Sequence, residues 1–156
     1  MREQQWNNEY RLTTVCIDSY EDSQMVGRFY NPYLNEGISF KSLSQFLIQM
    51  ENLLDNMNLP QSFTALRSFP TLPARRQHDL TSGDTELIKG MLTTFTVRVI
   101  FRQHTSWQGS VVWLDQGTEQ SFRSVLELIL LMDSALCTAM TNKLTTAANH
   151  KPQSLV

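Results

Sequence analysis

Phe95, Val97, Val99 and Phe101 alternate with Thr96, Arg98, Ile100 and Arg102, the period of two expected of a strand with one buried face. A weaker alternation over residues 13–20 places Val15 and Ile17 inward and Cys16 and Asp18 outward. Turn-forming residues follow at hairpin length, Glu21-Asp22-Ser23-Gln24 in one case and His104-Thr105-Ser106-Trp107 in the other, and predict second strands over 27–33 and 109–114. Neither turn is an Asn-Gly pair, so the pattern leaves the hairpin register open, and with it whether Trp113 or Val112 faces the core. Beyond the strands the period changes. Phe40, Leu43, Leu47, Met50, Leu54 and Met57 step by three and four, as do Phe122, Val125, Ile129, Met132, Leu136 and Ala139, which predicts two helices each with one apolar stripe. Ser39 and Ser121 are placed to cap them, with Ser42/Gln45 and Ser124/Glu127 as capping-box alternatives three residues on.

These two sets of elements occur in the same order at the same spacing. Residues 13–54 and 95–136 align without a gap at an offset of 82, with eight identities in 42 pairs: Thr14, Val15, Gly27, Ser39, Phe40, Ser42, Met50 and Leu54. Resemblance between amphipathic helices does not explain why the spacing from strand to glycine to helix cap is also kept. The chain is therefore read as one domain, 1–156, of α+β class: repeat one 13–57, a linker 58–94, repeat two 95–140 and a flexible tail 142–156. The simplest fold for a ββαββα chain is a four-stranded antiparallel sheet in order 1-2-4-3, second strands central, both helices on one face. This is a circular permutation of the ferredoxin-like motif. Residues 63–69 could add an edge strand, and 70–83, with two prolines and Ser-Gly-Asp, read as a flexible loop.

Composition adds mostly exclusions. A net charge of -2 and a pI near 5.9 provide no general attraction to nucleic acid or anionic lipid. The N-terminal MREQQWNNEY lacks a signal-peptide core, and the most apolar run, 125–132, is interrupted by Glu127 and too short to span a bilayer. The expectation is a cytoplasmic protein without membrane association. Cys16 and Cys137 lack metal-ligand or disulfide spacing and read as free thiols. There is no Gly-rich phosphate loop, HExxH or GxSxG, and His78, His104 and His150 are scattered; no catalytic set, metal or cofactor is implied. Asp18 and Asp115 near hairpin ends read as edge charges that deter aggregation.

Three surfaces remain as functional candidates. Where the first helix has Ser44 and Gln49, the second has Leu126 and Leu131, and with Leu128 and Leu130 this segment is apolar nearly all round. Such a helix is buried on more than one side; the extra side could meet the first helix, the strand expected at 63–69 or another subunit, and the reading adopted is a homodimer interface of a non-enzymatic binding or assembly module. The alternative is a nucleic-acid surface on the open sheet face, with Arg98, Ile100 and Arg102 from one strand and Tyr30 and Trp113 beside them. The acidic pI weighs against it. The third reading is a small-molecule sensor or enzyme with a site at a subunit junction, lined by Tyr30, Tyr33, Trp107 and Trp113.

The strings GRFYNPYLNEG, SFKSLSQFLIQMENLLD and SWQGSVVWLDQGTEQSFRSVLELILLMDSAL resemble those of a group of small proteins of anaerobic, Clostridia-type Gram-positive bacteria to which no activity is assigned. The resemblance implies a bacterial, intracellular setting and carries over no functional residue.

Overall fold

Both hairpins turn through pairs of left-handed residues. In the computed structural model, which describes residues 9–62 and 88–148, Asp22 and Ser23 have φ of 49° and 60°, and His104 and Thr105 have φ of 56° each. Positive φ at both central positions gives the type I′ twist that suits two antiparallel strands. The first turn joins β1 (Leu12–Glu21) to β2 (Gln24–Tyr30); β3 (Ile38–Phe40) and helix α1 (Leu43–Met57) follow. The second half repeats the order, with β4 (Thr93–Phe101), β5 (Gln108–Trp113), β6 (Thr118–Phe122) and helix α2 (Val125–Ala148). The six strands form one antiparallel sheet in the order β3-β2-β1-β4-β5-β6. The expected α+β class holds, but the sheet has six strands where the pattern predicts four.

Each half owes its extra strand to residues that the helical spacing claims. Ser39-Phe40 and Ser121-Phe122 belong to β3 and β6, and the helices start at Leu43 and Val125. Ser42 Oγ accepts from the Gln45 N–H and Ser124 Oγ from the Glu127 N–H, at 3.2 and 3.1 Å, so the capping-box serines are the caps. The first strands, not the second, lie centrally: Thr14 faces Thr96, with Val15 opposite Phe95 and Thr13 opposite Val97. Burial on both sheet faces explains that choice, because Thr13, Cys16 and Thr94 are each at most 1% exposed. Cys16 points away from the helices yet is covered by residues 88–92. Gly90 donates to Thr94 Oγ1, Met91 N–H to Asp18 Oδ1, and Arg28 to the Lys89 carbonyl. Burial raises the Cys16 thiol pKa, with Arg28 pulling the other way. The expected edge strand at 63–69 and loop at 70–83 lie outside the described residues. Helix α2 runs on to Ala148, through the start of the stretch read as a flexible tail.

Strand pairing keeps the offset of 82. Gly27 pairs with Phe40 and Gly109 with Phe122, and the sheet bulges between Ile17 and Ser19 in β1 and between Val99 and Phe101 in β4. Beside each bulge the backbones come too close for a side chain. A Cβ on Gly27 would lie 2.0 Å from the Cys16 carbonyl oxygen, and one on Gly109 1.8 Å from that of Arg98. Each bulge also switches the faces of the residues that follow it. Beyond it, Tyr20 and Arg102 turn toward the helices.

The core lies between that sheet face and both helices. From α1 it takes Phe46, Met50, Leu53 and Leu54, and from α2 Leu128, Met132, Ala135 and Leu136, over Val15, Ile17, Phe95, Val97 and Val99. Leu47 and Ile129, stripe residues by pattern, are only partly buried at its margin.

Candidate interaction surface on the second helix

Arg102 shows how the bulge redistributes chemistry. Its side chain is 3% exposed and lies against α1: Nε donates to the Pro60 carbonyl at 2.7 Å, and one terminal nitrogen bonds Asp55 at 2.6 Å and Glu51 at 3.1 Å. The second Glu51 oxygen accepts from Trp107 Nε1 at 2.6 Å. Counted at the same offset of 82, Tyr20 corresponds to Arg102 and Asp133 to Glu51, and Tyr20 donates its hydroxyl proton to Asp133. That bond raises the Tyr20 hydroxyl above its ordinary pKa. In both places a strand of one half is tied to the helix of the other, so polar contacts cross between the halves in both directions.

The residues expected to form a basic, aromatic sheet surface are dispersed. Arg98 and Tyr30 lie on the open face, opposite Leu12 and Thr14 respectively. Arg102 faces α1. Trp113 pairs with Phe95 on the helix side and donates Nε1–H to Thr93 Oγ1 at 2.8 Å. Ile100 is the half-buried extra residue of the β4 bulge. Arg28, also on the open face, bonds Asp18 at 2.6 Å and the Tyr30 hydroxyl at 2.8 Å. The four aromatics proposed to share a ligand site are likewise apart: Trp107 is buried against Glu51, and Tyr33 is half exposed with its ring edge-on to Tyr10 at 6.4 Å. Asp115 accepts from the Thr93 hydroxyl while Asp18 holds Arg28, so those carboxylates are engaged separately. No group of three or more metal-ligating side chains occurs among the described residues.

Helix α2 separates the four interface leucines. Leu128 is 0% exposed and belongs to the core of its own chain, with Leu131 partly buried beside it; Leu126 and Leu130 are 67% and 58% exposed. The reason is helical phase. Leu128, Met132 and Leu136 stack at intervals of four on the sheet side, and positions 126 and 130 fall on the far side of the same turns. A second stripe starts there and continues in steps of four and three through Leu126, Leu130, Asp133, Cys137, Met140 and Leu144. Cys137 is exposed, Met140 is half-buried, Leu144 is 70% exposed, and Asp133 is engaged across the domain by Tyr20. The helix is long and apolar enough, by length and composition, to cross a bilayer, and 22% of its most apolar window is buried. Its sheet-facing apolar residues are used by the fold, with Val125, Ile129 and Leu131 packed at the core margin, whereas Leu126, Leu130 and Leu144 are not. The three-four stepping of this outer stripe is readable in the sequence, but the polar Thr141-Asn142-Lys143 before Leu144 conceals its continuation.

No family model, curated protein or solved structure matches the chain.

Proposed function

We propose that the chain is a non-enzymatic assembly module that forms a homodimer through the outer face of α2. The observation that carries this reading is the stripe of Leu126, Leu130 and Leu144, each at least 58% exposed on a helix whose opposite face packs on the sheet through Leu128, Met132 and Leu136. From the first to the last of these residues the stripe is about 27 Å long at 1.5 Å per residue, and a step of three and four is the spacing of a helix-to-helix seam. The common pairing pattern at an offset of 82 supports a further element of the proposal, that the domain arose by duplication of a βββα unit. The reading places the dimer in a bacterial cytoplasm. Moving α2 into a bilayer would withdraw Leu128, Met132 and Leu136 from the core and leave Phe95, Val97 and Val99 of the sheet without their cover. Nucleic-acid binding on the open face is the weaker reading, since Arg102 is turned away from that face and Arg28 is paired with Asp18.

Light scattering at tens of micromolar tests the proposal. The expected mass is twice 18.0 kDa. The double variant Leu126→Glu/Leu130→Glu, with a circular dichroism spectrum like that of the parent, should dissociate at least about 100-fold more readily, because each change buries a charge in the seam. A monomeric parent overturns the proposal, and an undiminished dimer in the double variant removes α2 as its seam.

A further inference from the structure

The two halves do not close their interiors equally. In the first, Phe29 lies under α1 with its ring 5.9 Å from Phe46 and 6.4 Å from Phe40, and Leu53 is 2% exposed. At an offset of 82 these positions hold Val111 and Ala135, which remove most of a ring and most of a leucine from the corresponding place under α2. A cleft of about 240 Å³ opens there. Val111 and Ala135 line it together with Phe95, Trp113 and Leu131. Four uncharged polar residues, Thr118, Gln120, Ser134 and Thr138, complete the lining. Among the described residues, no lining side chain is ionisable at neutral pH.

We infer that this cleft is a binding site for a small, neutral, planar aromatic molecule that carries one hydrogen-bonding group such as a carboxamide. The volume exceeds the roughly 150 Å³ of a protein cavity that admits benzene and falls below the roughly 300 Å³ at which sites for drug-sized ligands begin, so one or two fused rings fit. Trp113 favours a flat ring: it lines the cleft with its indole nitrogen committed to Thr93, so its ring is what it offers a ligand. The lining selects neutrality. Hydroxyl and amide groups can donate to and accept from a carboxamide, whereas a carboxylate finds no cation among the described lining residues to offset the water it gives up.

The test uses the full chain labelled with ¹⁵N, with benzamide and 2-naphthamide as probes and benzoate and 2-naphthoate as charged counterparts. The indole N–H resonance of Trp113 should shift saturably with a Kd on the order of 1 mM or tighter, as a dozen ligand atoms allow, while that of Trp107, sealed against Glu51, stays in place. Ser134→Trp, an exposed position on the lining, should weaken 2-naphthamide at least about 10-fold. Ala135→Leu, which copies the first half, should do the same where it folds. An unmoved Trp113 at millimolar probe, equal response to amide and carboxylate, or undiminished binding in Ser134→Trp would each overturn the inference.

Discussion

Phe46→Ala should destabilise the protein by about 3–5 kcal/mol and Leu128→Ala by about 2–5 kcal/mol, measured by urea unfolding. Both side chains are 0% exposed, they occupy equivalent places in α1 and α2, and each packs directly on the sheet. Phe46 also makes ring contacts with Phe29 and Phe40, the latter at 5.0 Å between centroids, so its loss removes contacts that no neighbour can replace. Leu47→Ala and Ile129→Ala, one position further on, should each cost less than about 2 kcal/mol, because those side chains are half-buried already. Equal losses at both pairs of positions would show that the helices sit on the sheet in a different rotation from the one described.

Arg102→Met should cost about 3 kcal/mol, the low end of what breaking a buried ion pair costs. The guanidinium is 3% exposed, but its partners Glu51 and Asp55 are 23% and 44% exposed, so water recovers part of what the carboxylates lose. The partners should therefore rank below it. Asp55→Ala should lie near 1 kcal/mol, as for a pair that solvent screens, and Glu51→Gln between the two, since it also accepts from Trp107. The same unfolding measurement separates them. A stability of Arg102→Met equal to that of the parent would mean that the arginine does not hold the end of α1 to the β4 bulge.

Arg102 also marks the limit of what the pattern of residues reveals. Phe95 to Arg102 reads as one uninterrupted alternation, and nothing in it shows that the pairing skips a residue after Val99. The only sign is at a distance: Gly27 and Gly109, an identity at an offset of 82, are where the bulges press two backbones together. The third strands are missed for a different reason. Ile38-Ser39-Phe40 is too short to display a period of two, and Phe40 also fits the three-four spacing of the helix that follows. For β6 a usable signal exists in Asp115-Gln116-Gly117, a turn with Gly117 at φ 61°. Strand order is not legible at all, because a hairpin pattern does not say which of its strands meets the other half. The candidate seam is legible in part. Leucines 126, 128, 130 and 131 are chemically alike, yet their spacing from Met132 and Leu136 separates Leu128 as core from Leu126 and Leu130 as surface.

If two copies meet along the outer face of α2, their Cys137 side chains come together, since Cys137 lies on that face two residues from the stripe's midpoint. Cys137 is exposed while Cys16 is buried, so a spin label can be placed on α2 alone. In either orientation of a helix pair this position comes near its copy. Pulsed dipolar spectroscopy of the labelled protein at tens of micromolar should give one population of distances below about 25 Å, as helix axes about 8–10 Å apart require. Absence of dipolar coupling, or a single population far beyond that distance, would contradict a seam along α2.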